Sequence, residues 1–207
     1  MDKKPQIKQA SNNKDRQATY TYQLGRFKRA CRGGFYFEAL MIDYTLLEDR
    51  LKSLLYYCGA LSNRNSLSVP KKTKNDLKSI LIDYDGSDRF SLKTIRGKIQ
   101  LINSILSWWE HTDSVKDQYD EYQSSLKTLL LDVDVGGIKE TLIQMDDWLD
   151  YRNEVMHAAM NKNIEALYEN LSIRVEEGME YARFIDSQVK LMKKANTVRK
   201  VMKMQNN

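Results

Sequence analysis

One short stretch of the chain combines residue types that can do phosphate chemistry: Arg152-Asn153-Glu154-Val155-Met156-His157. A histidine suits proton transfer, because an ordinary imidazole titrates near pH 6.5. An arginine suits a phosphate, because its planar fork donates two hydrogen bonds and stays charged. Together they fit RNA cleavage by the substrate's own 2′-hydroxyl. That reaction needs a base, an acid and a cation on the phosphorane-like transition state, and it needs no metal. Arg152 and His157 are five residues apart and diverge by roughly 140° on an ideal helix. Asn153 and His157 are four apart and share a face. One His per motif is one too few for separate acid and base, so a symmetric dimer that faces motif to motif is the expected form.

Other chemistries lack their residues. There is no Gly-x-x-x-x-Gly-Lys-Ser/Thr, Gly-x-Gly-x-x-Gly or His-Glu-x-x-His sequence. Histidine occurs only at 111 and 157, which is too few for a His-rich zinc site, and no metal or cofactor is expected. Acidic neighbours such as Asp146-Asp147 and Glu176-Glu177 point about 100° apart on a helix and read as solvated faces. His111 follows Trp108-Trp109-Glu110 at an expected helix end, where a capping or interface role is expected. The tryptophans read as core or dimer contacts.

The motif must be positioned by helices. Ile138, Leu142, Met145, Leu149 and Met156 fall on one face of an expected helix from Ile138 to about Met160, and Arg152 interrupts that stripe. An earlier helix is expected from about Phe35 to Tyr57, with Phe37, Met41, Tyr44, Leu51 and Leu55 as its stripe, widened by Leu40, Leu47 and Leu54. Glu48 lies on that stripe, so its carboxylate must be paired or must open onto a polar site. Between the two, residues 59–75 read as a loop, Asp76–Ile82 as a short helix and 83–88 as a turn. Ser91 is the expected cap of a helix to about Trp109, and a further helix runs from about Ser114 to Leu131. Gly136-Gly137 is an expected break. Asn161-Lys162-Asn163 is a short connection, and a long last helix starts near Ile164. The resulting fold class is all-α, an up-and-down bundle of four to five main helices.

Composition agrees with one helical domain: 207 residues, 42% hydrophobic, with 9 Gly and 2 Pro. The net charge of +5 is unevenly placed. Residues 1–34 carry +7 and residues 190–207 carry +6, which leaves the body at −8. Two basic ends on an acidic body make an electrostatic footprint for a polyanion, or else two solvated tails. The expected organisation is a basic, partly disordered segment over 1–34, the helical domain over 35–195, and a basic tail over 196–207. Cys31 and Cys58 have no metal-ligand spacing and read as free thiols of a reducing cytoplasm. No secretory signal or membrane span is expected.

The Arg152–His157 stretch resembles the Arg-x-x-x-x-His motif of the HEPN superfamily, which often has the form Arg-Asn-x-x-x-His. The resemblance is close over the motif helix and looser over about 35–195. It implies a helical bundle and a metal-independent endoribonuclease acting as a homodimer, in a toxin–antitoxin, phage-defence or CRISPR-associated setting with a regulatory partner such as an antitoxin. By that resemblance Arg152 and His157 are the catalytic pair and Asn153 the polar residue beside them. From its place on the apolar stripe, and not from the resemblance, Glu48 is expected to form a buried structural salt bridge or else to support the site by orienting Arg152 or His157. Position 159 is Ala, where toxins silenced by nucleotidyltransferase antitoxins often carry Tyr, which argues against control by adenylylation there. The alternative is a non-catalytic HEPN-like module that binds RNA or a protein. A third reading, a membrane-surface protein using the basic C-terminal helix, has no lipidation motif behind it.

Overall fold

A computed structural model of the chain describes residues 13–62, 66–86, 89–111, 120–158 and 168–204. The described residues form eight helices: α1 (Asn13–Arg32), α2 (Tyr36–Tyr57), α3 (Lys71–Asp85), α4 (Ile95–His111), α5 (Glu121–Leu131), α6 (Val135–Ala158), α7 (Leu171–Ala195) and α8 (Thr197–Met204). Among the described residues the only β pairing is an isolated bridge between Leu61 and Leu67. No described helix is long and apolar enough to cross a membrane.

The fold is an all-α bundle built around the pairing of α2 with α7. Arg50 meets Asp186 and Cys58 meets Met192, so these two helices run parallel. Helix α6 runs the other way, since Trp148 reaches Arg174 while Asp134 reaches Gln188. Helix α4 is antiparallel to α6, with Arg96 on Asp146 and Asp150 at one end and Lys139 on Glu110 at the other. Leu47, Leu51, Ile102, Leu142, Met145, Trp148, Val175 and Ala182 fill the shared core, all at most 1% exposed.

Several expectations shift. The basic N-terminal segment is helical from Asn13, held by buried Phe27 and Ala30 and by an Arg26–Glu38 ion pair. Residues 1–12 lie outside the described residues. The basic C-terminal end is likewise packed, because α8 buries Val198 and Met202 against the rest of the molecule. Helix α3 begins at Lys71, earlier than Asp76, with Pro70 before its first turn. Thr94 rather than Ser91 caps α4, its hydroxyl accepting from the Gly97 N–H at 3.0 Å. Gly136-Gly137 does not break the chain. Asp134 caps α6 by accepting from the Gly137 N–H at 2.8 Å, and a Cβ at Gly137 would come within 2.8 Å of Phe184. The glycine therefore permits close helix packing instead of ending a helix. Expectations on Ser114–Tyr119, on Asn161-Lys162-Asn163 and on a helix start near Ile164 fall outside the described residues. The last described long helix begins at Leu171 and stops at Asn196, whose φ of 49° is left-handed.

Candidate functional site

The end of α6 is fixed from two sides before the motif is reached. On the α7 side, Trp148 is fully buried and its indole N–H donates to the Arg174 carbonyl at 2.6 Å. Its ring lies against Gly178, where a Cβ would sit 2.8 Å from Trp148 Cζ2. On the α4 side, the Arg96 guanidinium holds Asp146 at 3.0 Å and Asp150 at 2.8 Å. Asp147 binds Arg174 at 3.0 Å. The acidic run ahead of the motif, read from sequence as a solvated face, is thus ion-paired residue by residue. Two guanidinium groups serve four carboxylates, Asp146 and Asp150 on Arg96 and Asp147 and Glu177 on Arg174, so this face stays acidic.

Arg152 leaves α6 toward α2. Its guanidinium carbon stands 4.3 Å above the centre of the Tyr44 ring. Its Nη2 is 3.5 Å from Met41 Sδ and its Nη1 donates to Asn153 Oδ1 at 3.1 Å. Its Nε is buried without a hydrogen-bond partner. None of these neighbours is a carboxylate. A cation on an aromatic face beside a thioether and an amide is oriented but not neutralised. The expected stripe is shifted here: Val155 and Ala158 are the buried residues of the last turns, and Arg152 and Met156 lie at its edge, half-buried.

His157 and Asn153 are exposed. The structure brings Arg152 and Asn153 together. It joins His157 to no described residue by a hydrogen bond or ion pair, so the imidazole of the last turn of α6 faces outward. His111 accompanies the end of α4, with Nδ1 2.8 Å from the Ser107 carbonyl.

Glu48 does not orient the motif. Its carboxylate lies 2.9 Å from Lys52 Nζ and 3.2 Å from Lys98 Nζ. Lys98 is 1% exposed and also donates to the Thr94 carbonyl at 3.1 Å. Burial pushes the Glu48 carboxyl upward, but the two lysines outweigh it and hold it below the usual range. Burial lowers Lys98, and Glu48 opposes that. Of the two readings of Glu48, the buried salt bridge is the one the geometry matches, and its partner is a lysine fifty residues away.

Sequence reasoning missed two groups. Tyr44 was read as a core residue, yet it is the seat of Arg152. Asp43 beside it is fully buried, and neither carboxyl oxygen has a partner. Burial pushes its carboxyl up to about 9, against the pull of Arg183. The signal was available, since Asp43 stands three after Leu40 and four before Leu47 on the apolar stripe. Both cysteines are free thiols, Cys58 buried and Cys31 partly so. Among the described residues no group of three or more His, Cys, Asp or Glu side chains could hold a metal ion. Comparison of the chain with family models, with curated proteins and with solved structures finds no match.

Proposed function

We propose that the chain is a metal-independent endoribonuclease of the HEPN type. The observation that carries this reading is the seat of Arg152: a guanidinium aimed by Tyr44, Met41 and Asn153, with no carboxylate on it among the described residues. Such a cation keeps its charge for an incoming phosphate, and His157 stands exposed on the same helix end. In the proposed reaction the 2′-oxygen attacks phosphorus and loses its proton to a base. The bond from phosphorus to the 5′-oxygen breaks, and an acid protonates that oxygen. The products are a 2′,3′-cyclic phosphate and a free 5′-hydroxyl. His157 serves as the proton-transfer group, and Arg152 stabilises the charge gathering on the phosphoryl oxygens. Separate acid and base require two imidazoles, which a homodimer with facing α6 ends supplies. Action on cytoplasmic RNA, in growth arrest or phage defence under an antitoxin or other regulatory partner, belongs to this reading.

A second reading has its own observation. The Arg152 Nε is buried and its guanidinium is stacked on the core face of α2. That geometry also suits an arginine whose role is to pin α6 to α2 in a non-catalytic RNA- or protein-binding module.

The two part in one experiment. Purified chain is incubated with end-labelled single-stranded RNA in excess chelator, and the product ends are mapped. Cleavage leaving cyclic phosphates, lost in both Arg152→Ala and His157→Ala, supports the ribonuclease. Activity that survives in His157→Ala sinks it. Sedimentation of the active species tests the dimer.

A further inference from the structure

The turn between α1 and α2 carries an exposed aromatic ring close in sequence to exposed cations. Phe35 is 65% exposed. Its ring rests on Gly33, since a Cβ built there would stand 2.7 Å from both Cδ2 and Cε2 of the ring. The backbone under it is held as well: the Phe35 N–H donates to the Ala30 carbonyl at 2.8 Å and the Gly33 N–H to the Arg29 carbonyl at 3.0 Å. The Cδ2–Cε2 side of the ring is therefore against glycine and most of the ring meets solvent.

Lys28, Arg29 and Arg32, on the last turns of α1, are all exposed. None of them pairs with a carboxylate among the described residues. Arg26, earlier on α1, differs, because it binds Glu38 at 2.6 Å. Basic residues near a helix C-terminus complement its dipole, and one exposed aromatic by itself needs no explanation. Neither account covers an aromatic ring set against a glycine beside three cations with no carboxylate partner among the described residues. The place matters too. Met41, which touches Arg152, lies six residues along α2 from Phe35, about 9 Å along the helix axis.

We propose that this turn docks single-stranded RNA, with an unpaired base stacked on Phe35 and the flanking phosphates on Lys28, Arg29 and Arg32. Aromatic platforms with cations beside them are the general device for binding unpaired strands. A base inside a duplex is already stacked on its neighbours and has no face to offer. The proposal rests on the ribonuclease reading and deepens it by making the substrate single-stranded. The strand crosses the N-terminal end of α2 to reach Arg152.

The test is fluorescence anisotropy of the full chain with a labelled, mixed-sequence oligonucleotide whose riboses are 2′-O-methylated. That probe cannot be cleaved by 2′-hydroxyl attack, so binding is read apart from activity. The Phe35→Ala variant is expected to bind roughly 5- to 150-fold more weakly, and Phe35→Trp to bind as the parent does. The combined Lys28→Ala, Arg29→Ala and Arg32→Ala variant is expected to bind weakly and to flatten the salt dependence by about two units of slope. Circular dichroism of each variant is expected to match the parent, since all four side chains are exposed. Parent-like affinity of Phe35→Ala would overturn the proposal. So would a change in sedimentation on Phe35→Ala, which would place a second copy on the ring, or Phe35-dependent binding to anionic phospholipid vesicles without oligonucleotide binding. Phe35-dependent binding by a chain that cuts no RNA removes the ribonuclease reading and leaves the docking site. Cleavage with Phe35-independent binding removes the docking site alone.

Discussion

Two arginines, Arg50 of α2 and Arg152 of α6, begin alike and end differently. Arg50 stacks 4.5 Å over Tyr20 and Arg152 stacks 4.3 Å over Tyr44. Arg50 is then closed by Asp49 at 2.7 Å and by Asp186 on α7. Arg152 receives an amide oxygen and a sulfur. Arg174 follows the first pattern, 5.1 Å from the Tyr151 ring with Asp147 and Glu177 as partners. The tyrosine orients the guanidinium in these three, as it does for Arg199, which lies 3.9 Å over Tyr56 and among the described residues donates only to the Leu61 carbonyl. The carboxylate decides whether its charge is consumed inside the fold. Arg50 and Arg174 are clamps between helices, whereas Arg152 meets no carboxylate among the described residues.

The sharpest way to break this contrast is to remove each arginine in turn. Arg152→Ala is expected to lower RNA cleavage by at least about 100-fold, the loss typical of one transition-state donor, while barely moving Tm. Arg50→Ala is expected to keep cleavage per folded molecule and to cost about 2 kcal/mol, because half-buried Asp186 loses its interhelical partner and keeps only Lys190, which lowers Tm by roughly 4–8 °C. Cleavage assays and thermal melts of both variants decide it. If Arg152→Ala melts as early as Arg50→Ala and leaves cleavage untouched, Arg152 is a third clamp.

The second test concerns the pair formed by half-buried Glu48 of α2 and enclosed Lys98 of α4. Glu48→Gln leaves Lys98 buried without a carboxylate, a change expected to cost about 3 kcal/mol. The double variant Glu48→Gln with Lys98→Met is expected to recover most of that loss, because no uncompensated charge remains. A melt in which the double variant is no better than the single one contradicts the pairing.

The third effect is graded with pH. Folding raises the Asp43 carboxyl from near 4 to about 9. The unfolded chain ionises it first, so stability falls as pH rises from about 4 toward 9, by up to about 1.4 kcal/mol per unit. Below pH 4 both states are protonated and nothing is lost. Asp43→Asn is expected to flatten this slope and to melt higher than the parent at pH 8, with no gain at pH 4. Parallel pH–Tm curves for the two proteins would show that Asp43 is not held protonated.

The contrast also explains which parts of the molecule were legible in the sequence. The stripes of α2, α4, α6 and α7 are written in local periodicity, and an all-helical bundle follows from them. Arg152 stood out because it interrupts such a stripe. Its seat did not, because Tyr44 belongs to another helix and looks like ordinary core. Glu48 announced that it needed a partner, but nothing local says that the partner is Lys98. Helix α1 was hidden for the same reason. Its own sequence is polar and basic, and what holds it is tertiary: Phe27 and Ala30 in the core, Arg26 on Glu38, Tyr20 under Arg50. Gly136-Gly137 misled because a cap three residues away, Asp134, and a close neighbour, Phe184, reverse the usual meaning of paired glycines.

The parallel packing of α2 on α7 has a consequence for the birth of the protein. α2 leaves the ribosome early, and its main partner emerges more than a hundred residues later. At typical elongation rates of about 5–20 residues per second, the apolar face of α2 waits on the order of ten seconds for its cover. The hydrophobic centre thus closes only once α7 is made, with α6 and its motif already translated. Nascent chains are accordingly the form of this protein in which chaperones find the most exposed surface.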